Sequence, residues 1–358
     1  MTTKGTLHGR IALATNNGDI GGGEVMLLNV AEAMVGLGFD VVVVGPSAPS
    51  GLVDLARDRG FSTVVLPART RLQYVLSLRR WDRRERLGLL WCNGLLPSVS
   101  TAARKRRVVH LHQRPVGKLR LLAAMSRWGA IATVVPSADM ASAVRGSRVL
   151  HNWVHPVVHA RRRTLSDVGT GTVRVGFLGR TSTEKGVVVL CGAIRELQRR
   201  SGRKFRLVLA GEPRFVDAKS SSVVDDSVAA LGDSVERTGW ITPAEFFGRV
   251  DVLVCPSLWP EPFGLVAAEA LSAKVPLVVS DAGALPEVVG RDYPWIAKRG
   301  DAVGLANMIT LAVDSEESDL QGCFDRWERM FSPQAGRQRL KFLLSEIGYS
   351  SPEDVRHA

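Results

Sequence analysis

Glu261 and Glu269 stand eight positions apart, the first in a Pro/Gly-rich stretch at 256–264 and the second inside an apolar run that reads as a helix. A carboxylate accepts two or more charge-assisted hydrogen bonds, so this pair can hold two hydroxyl-bearing parts of one ligand. Gly264, flanked by Phe263 and Leu265, falls near the predicted helix start. The missing side chain there lets a bound group approach the backbone, and a helix N-terminus favours an anion. Upstream, a short apolar strand at 173–178 ends in Gly179-Arg180, and Lys185-Gly186 follows five residues later. Arg offers a planar fork to phosphate oxygens and Lys a mobile point charge, so the two suit a diphosphate that gains negative charge as it departs. Hydroxyls on either side of a diphosphate describe a sugar nucleotide. Solvated surface cations are the alternative, and the usual fate of Arg and Lys.

Residues 256–287 resemble the E-x7-E signature of the family 4 retaining glycosyltransferases, enzymes of the two-domain GT-B fold. After Glu261 and Glu269 come Pro276 and a D-x-G-x-x-x-E element at Asp281, Gly283 and Glu287, in the family's order and spacing. Gly179-Arg180 with Lys185-Gly186 is similar to the family's G-R-x4-K-G element. One departure is Ala273-Lys274-Val275, where family members have a glycine before the proline; it is expected to alter a turn rather than the chemistry. The resemblance implies transfer of a glycosyl group from a UDP- or GDP-sugar to a hydroxyl acceptor with the anomeric configuration retained. Attack would come from the front face, with the departing phosphate as base and no protein nucleophile. Arg180, Lys185 and backbone N–H groups near Gly264 and Leu265 would neutralise the diphosphate, Glu261 would hold the sugar and Glu269 the ribose. The backbone of Gly239, Trp240 and Ile241 would border the base. No Asp-x-Asp motif occurs, so neither a metal nor another cofactor is expected.

The N-terminal half carries weaker signals. A strand at 10–15 breaks at the glycine-rich residues 16–23 and resumes as a helix at 24–37. This resembles the family's first βα turn, in which Gly22 and Gly23 would pack against donor phosphates or acceptor; a merely tight turn is the alternative. Met26 stands where the dinucleotide fingerprint G-x-G-x-x-G needs its last glycine, which disfavours a dehydrogenase. A strand at 108–111 leads into His112, at the end where open α/β sheets bind ligands. Family members often carry a histidine here that touches the transferred sugar; His110 points to the same face, so the role falls to either. Residues 151–156 resemble the family's N-G-V-D linker, with Trp153 for glycine and His155 for aspartate, followed by a polar linker at 161–172.

These residues need elements to position them. Strand-like and helix-like segments alternate along all 358 residues, and 45% apolar content fills two cores. The expected fold is α/β GT-B: two doubly wound, Rossmann-like domains whose parallel sheets face a central cleft. Residues 1–160 form the acceptor-side domain and 161–332 the nucleotide-sugar domain. A helix from 333, with Ser332-Pro333 as cap, crosses back to the first, ahead of a frayed tail after Tyr349. Apolar runs are too short to span a bilayer and the N-terminus shows no signal-peptide pattern, so a cytoplasmic chain is expected. Cys92, Cys191, Cys255 and Cys323 are scattered and read as ordinary buried thiols.

Charge is unevenly placed. Residues 1–160 hold 21 Lys+Arg against 9 Asp+Glu, and the remainder holds 26 of each, so the whole net +12 belongs to the first half. It concentrates at 69–86, 104–107 and 114–127, the last with Leu119, Leu121, Leu122, Met125 and Trp128 interleaved. Such segments suit an anionic membrane surface, consistent with a lipid-linked or cell-envelope acceptor; equally, the apolar residues cover a sheet while the arginines face water. A GT-B phosphorylase or sugar-nucleotide hydrolase shares the donor-site pattern. A nucleic-acid-binding protein would account for the charge, but three tyrosines and a neutral second half argue against it.

Overall fold

The computed structural model describes residues 9–159, 171–213 and 216–350. The polar linker at 161–172 and the tail after Tyr349 fall almost wholly outside them. The chain divides into two compact units, Met1–Trp153 with Pro333–Ala358, and Val154–Ser332.

The first unit is a seven-stranded, all-parallel sheet in the order β3-β2-β1-β4-β5-β6-β7. Its strands are β1 (Arg10–Thr15), β2 (Asp40–Pro46), β3 (Ser62–Leu66), β4 (Leu89–Asn93), β5 (Arg107–His110), β6 (Ala132–Val135) and β7 (Arg148–Val149). The run Val41-Val42-Val43-Val44 is buried on both faces, as a central parallel strand requires. Helices α1 (Gly22–Val35) and α2 (Gly51–Asp58) cover one face, joined by α14 (Pro333–Glu346), which packs on α1 through Leu340, Leu343 and Leu344. The other face carries α3 (Arg71–Arg84), α4 (Leu95–Ser100), α5 (Leu119–Ser126) and α6 (Ala138–Ala143). Because β1 lies between β2 and β4, the chain leaves these neighbouring strands toward opposite sides of the sheet at β1 and β4.

The second unit repeats the plan in six parallel strands, β10-β9-β8-β11-β12-β13. They are β8 (Thr172–Leu178), β9 (Lys204–Ala210), β10 (Val235–Gly239), β11 (Val252–Cys255), β12 (Leu277–Ser280) and β13 (Ile296–Ala297). Between and after them come α7 (Val187–Arg200), α8 (Ala218–Ala229), α9 (Pro243–Phe247), α10 (Leu265–Ala273), α11 (Leu285–Val289), α12 (Ala302–Val313) and α13 (Glu317–Phe331). Here the switch in direction falls between β8 and β11.

Two expectations shift. The first helix spans Gly22–Val35, not 24–37: the Glu24 carboxylate accepts the Gly21 N–H (3.2 Å) and opens the helix at Gly22, while Gly38, at φ +84°, closes it. The strand before His112 spans Arg107–His110, one residue earlier than expected. The Ser332 hydroxyl donates back to Glu328 O (2.6 Å), and α14 begins on Pro333, whose fixed φ suits a first turn.

Part of the basic surface turns out to be interior. Arg107 is fully buried, and burial lowers its guanidinium from the ordinary range. It donates to the carbonyls of Ser98 (2.9 Å), Ser126 (2.7 Å) and Trp128 (2.6 Å), closing the ends of α4 and α5. Asp82, its side chain wholly buried, bridges Arg86 (2.5 Å) and Arg104 (2.6 Å). Arg86, Arg104 and Arg107 are therefore structural members of the cationic runs, and their hydrogen bonds satisfy groups that would otherwise be buried unpaired.

Candidate active site

Two loops meet at the switch point of the second unit, beyond the carboxyl ends of β8 and β11, where open α/β sheets bind ligands. Gly186 has φ +75°, and a Cβ there would lie 1.9 Å from Pro256 O, so only glycine lets the β8–α7 loop abut the β11–α10 loop. The contact is fastened by Glu184 O, which accepts the N–H groups of Leu258 (2.8 Å) and Trp259 (3.2 Å). At this junction Lys185 Nζ donates to Glu261 Oε1 at 2.6 Å, and Ser257 Oγ donates to the same oxygen at 2.5 Å. Glu261 Oε2 is left without a partner among the described residues.

Glu261 is also held from behind. Gly283, at φ +62°, forms an isolated parallel bridge to Glu261, and its Cβ would come within 2.4 Å of the Glu261 nitrogen. The Ala284 N–H donates to Glu261 O at 2.9 Å. Asp281 accepts the Arg299 N–H (2.8 Å), and the Glu287 carbonyl accepts from Arg326 (2.7 Å). The D-x-G-x-x-x-E element thus braces the loop that carries the first glutamate.

Gly264 begins α10 at φ +102° with no side-chain cap, leaving the first N–H groups of the helix to water or a ligand. A Cβ at Gly264 would meet Leu285 Cδ2 at 2.6 Å. Leu265 opens the helix, whereas the Phe263 ring is buried edge-on to Phe331 (5.4 Å, 78°) and offers a ligand only its backbone. Glu269, on the second turn of α10, is half-buried and has no carboxylate partner among the described residues; burial pushes its pKa up to about 7. The charges of Glu261, Lys185 and Glu269 all reach the Cys255 thiol, which burial first and Glu261 next push up to about 12.

The neighbouring strand ends are joined through glycines. A Cβ on Gly211, at φ +121°, would fall 2.0 Å from Gly179 O, and the Gly211 N–H donates to Gly239 O at 2.8 Å. Arg180, directly after Gly179, is exposed and has no ion-pair partner among the described residues. Past Gly239, Trp240 is 59% exposed and Ile241 half-buried. The structure thus brings together Lys185, Glu261 and Glu269, with Gly179, Arg180, Gly239, Trp240 and Ile241 on adjacent strand ends of the same sheet.

Gly22, Gly23 and His112 belong to the first unit, and Gly23 and His112 meet at its own switch point. His112 Nε2 lies 2.6 Å from Asn93 Oδ1, and Asn93 Nδ2 donates to Gly23 O at 3.1 Å. That second bond turns the amide oxygen toward the ring, so His112 carries its proton on Nε2. Its Nδ1 is buried without a partner among the described residues, and burial lowers its pKa to about 4. A Cβ on Gly23 would sit 3.5 Å from the ring. His110 is fully buried, accepts from Trp91 Nε1 (3.3 Å) and packs 4.0 Å from His112 between ring centroids, so of the two only His112 reaches the surface.

Ser257 and Asn93 were not singled out from the sequence, and Cys255, expected as a buried thiol, is half-buried at the end of β11. Asn93 had a legible signal, a polar residue ending an apolar strand. Ser257 had none, since its importance comes from a loop contact.

Residues 172–314 match a profile described as "Glycosyl transferases group 1", and residues 20–157 one described as "Glycosyltransferase Family 4". The chain belongs to glycosyltransferase family 4. Among curated relatives of this family 4 chain, D-inositol 3-phosphate glycosyltransferase of Nocardia farcinica is 30% identical over 177 residues, 48% of this chain and 36% of the relative. An uncharacterised glycosyltransferase of Methanocaldococcus jannaschii is 35% identical over 125 residues, 34% and 30% of the respective chains. The family 4 chain thus spans about a third of the length of these curated relatives. Among solved structures, Anabaena HepE in complex with UDP-glucose superposes with a TM-score of 0.80 at 19% identity, covering 94% of this chain and 99% of that one. The family 4 chain has the GT-B fold.

Proposed function

We propose that this chain is a retaining, metal-independent glycosyltransferase that moves a sugar from a UDP- or GDP-sugar to a hydroxyl acceptor. The observation that carries the reading is the Lys185–Glu261 contact beside the uncapped start of α10, at the switch point of a parallel sheet. Lys185, Arg180 and the N–H groups at Gly264 and Leu265 take up the charge that develops on the leaving diphosphate, without a metal. The second oxygen of Glu261 accepts a hydroxyl of the donor sugar. Glu269 accepts the ribose hydroxyls, for which a half-buried carboxylate without a partner among the described residues is suited. The exposed face of Trp240 and the backbone of Gly239 and Ile241 border the base. For His112 the ground is the family resemblance, which gives it the transferred sugar. HepE, named with UDP-glucose, supports a nucleotide-sugar donor.

The acceptor is a lipid-linked or envelope glycan at the cytoplasmic face of a membrane, on the strength of the positive charge gathered in residues 1–160. Among the described residues no helix is long and apolar enough to cross a membrane. The test is a thermal-shift screen of UDP-, GDP- and ADP-sugars, followed by product analysis for anomeric configuration with and without a chelator. Stabilisation by one donor and a retained configuration are expected. An inverted product, or activity abolished by the chelator, would overturn the mechanism.

A further inference from the structure

The acceptor reading rests on charge; the structure adds a surface. On α5, Ala123 and Ser126 are the buried residues. Leu121 is 67% exposed, Met125 53% and Trp128 73%. Leu121 and Met125, at i and i+4, form an apolar edge of α5, Trp128 follows in the turn after the helix, and Leu119 and Leu122 are exposed beside them. This reverses the arrangement in which such residues cover the sheet. The flanking cations Lys118 and Arg120 also face solvent, and from Arg86 to Ala138 the sequence holds nine Lys+Arg and no Asp or Glu. Across α4, the exposed side of α3 repeats the pattern with Leu72, Leu76, Arg80 and Arg83.

We propose that the α5 face docks this chain on an anionic lipid bilayer, a refinement that rests on the membrane-bound acceptor proposed above. An apolar stripe rimmed by cations is the composition of a helix lying in the lipid interface. Eight residues of helix span about 12 Å, enough to lie on a bilayer and far too short to cross it. The mount is rigid, because buried Arg107 holds the Ser126 and Trp128 carbonyls. A second copy is a poorer occupant. A two-fold contact through this face would set Lys118 and Arg120 against each other's like charges, whereas an anionic headgroup layer neutralises them.

The test is co-sedimentation of the full chain with vesicles of phosphatidylcholine and phosphatidylglycerol in equal parts, and of phosphatidylcholine alone. Binding to the anionic vesicles that weakens with salt is expected. Lys118→Ala with Arg120→Ala should weaken it about 30-fold, and Leu121→Ser with Met125→Ser and Trp128→Ser at least about tenfold. Equal partitioning onto both vesicle types, no partitioning, or wild-type partitioning by the triple variant would overturn the proposal. So would a dimer in light scattering that the triple variant disperses. Thermal shift with nucleoside diphosphates, run on the same proteins, separates the two readings: a wild type that shows the nucleotide shift but no vesicle binding sinks the docking surface alone, whereas variants that lose vesicle binding and keep the shift support it.

Discussion

The two units build the same sheet junction and furnish it differently. In the second, the switch point is charged and open: Lys185 and Ser257 share one oxygen of Glu261, its other oxygen is unpartnered among the described residues, and Gly264 begins a helix without a side-chain cap. In the first, the switch point is neutral and tied. Asn93 binds both the His112 ring and the Gly23 carbonyl, and burial keeps His112 uncharged. A doubly wound sheet supplies a place for a ligand, and side chains decide which ligand it suits. The charged junction fits a diphosphate with hydroxyls on both sides; the neutral one fits an uncharged polar group. The difference is one of electrostatics, not of fold.

Mutations that erase the difference should have the largest effects. Lys185→Ala is expected to slow glycosyl transfer by roughly 10²- to 10³-fold, as for loss of one preorganised group facing developing charge, measured as nucleoside diphosphate release. Near-normal turnover would remove Lys185 from the site. Gly186→Ala attacks the junction itself. A side chain at φ +75° whose Cβ meets Pro256 O should cost about 2–4 kcal/mol in denaturant unfolding and separate Lys185 from Glu261. Unchanged stability would mean that the two loops do not need their close approach.

The next contrast is in pH. Glu269, raised to about 7 by burial, is protonated in the folded chain where the unfolded chain is already ionised. Its contribution to stability is therefore full below the unfolded value near 4.5, falls as pH rises between there and 7, and stays lost above. Glu269→Gln should remove that fall, stabilising the chain at pH 8 by on the order of 2 kcal/mol, partial exposure allowed for. Donor affinity runs the other way. If the ionised carboxylate holds the ribose, affinity should rise roughly tenfold from pH 6 to pH 8 in the wild type and stay flat in Glu269→Gln. A flat wild-type profile would refute the ribose role. His112, its pKa lowered by burial from 6.5 to about 4, should itself raise stability as pH climbs between those two values, and add nothing to the donor-affinity profile above pH 5.

The smallest expected effect is in the first unit. Asn93→Ala should leave nucleoside diphosphate binding unchanged and cost about 1–3 kcal/mol of stability, because it strands the His112 N–H in a buried place. An equal loss of nucleotide binding would blur the distinction between the junctions.

The sequence made the architecture legible because parallel strands buried on both faces read as apolar runs. The strand at 10–15 was placed to the residue and that at 173–178 to within one. Glu261, Glu269, Lys185 and Gly264 were legible because charged residues and glycines at fixed spacing stand out against such runs. The N-terminal helix start was misplaced by two residues, since glycines read as loop although Gly21 can precede a helix that begins on Gly22. The basic segments were the least legible. Composition does not distinguish buried Arg107 from exposed Arg120, nor tell that Leu121 faces water while Ala123 faces the sheet. Those outcomes depend on Asp82 and on carbonyls at the ends of α4 and α5, partners brought by tertiary packing.

The central claim is that the charged junction of the second unit, and not the neutral one of the first, grips the diphosphate. Calorimetric titration of UDP and GDP into the wild type, Lys185→Ala and His112→Ala tests it most directly. One nucleotide should bind the wild type and His112→Ala with similar affinity and Lys185→Ala at least tenfold more weakly. Equal affinity in wild type and Lys185→Ala, or loss confined to His112→Ala, would contradict the account.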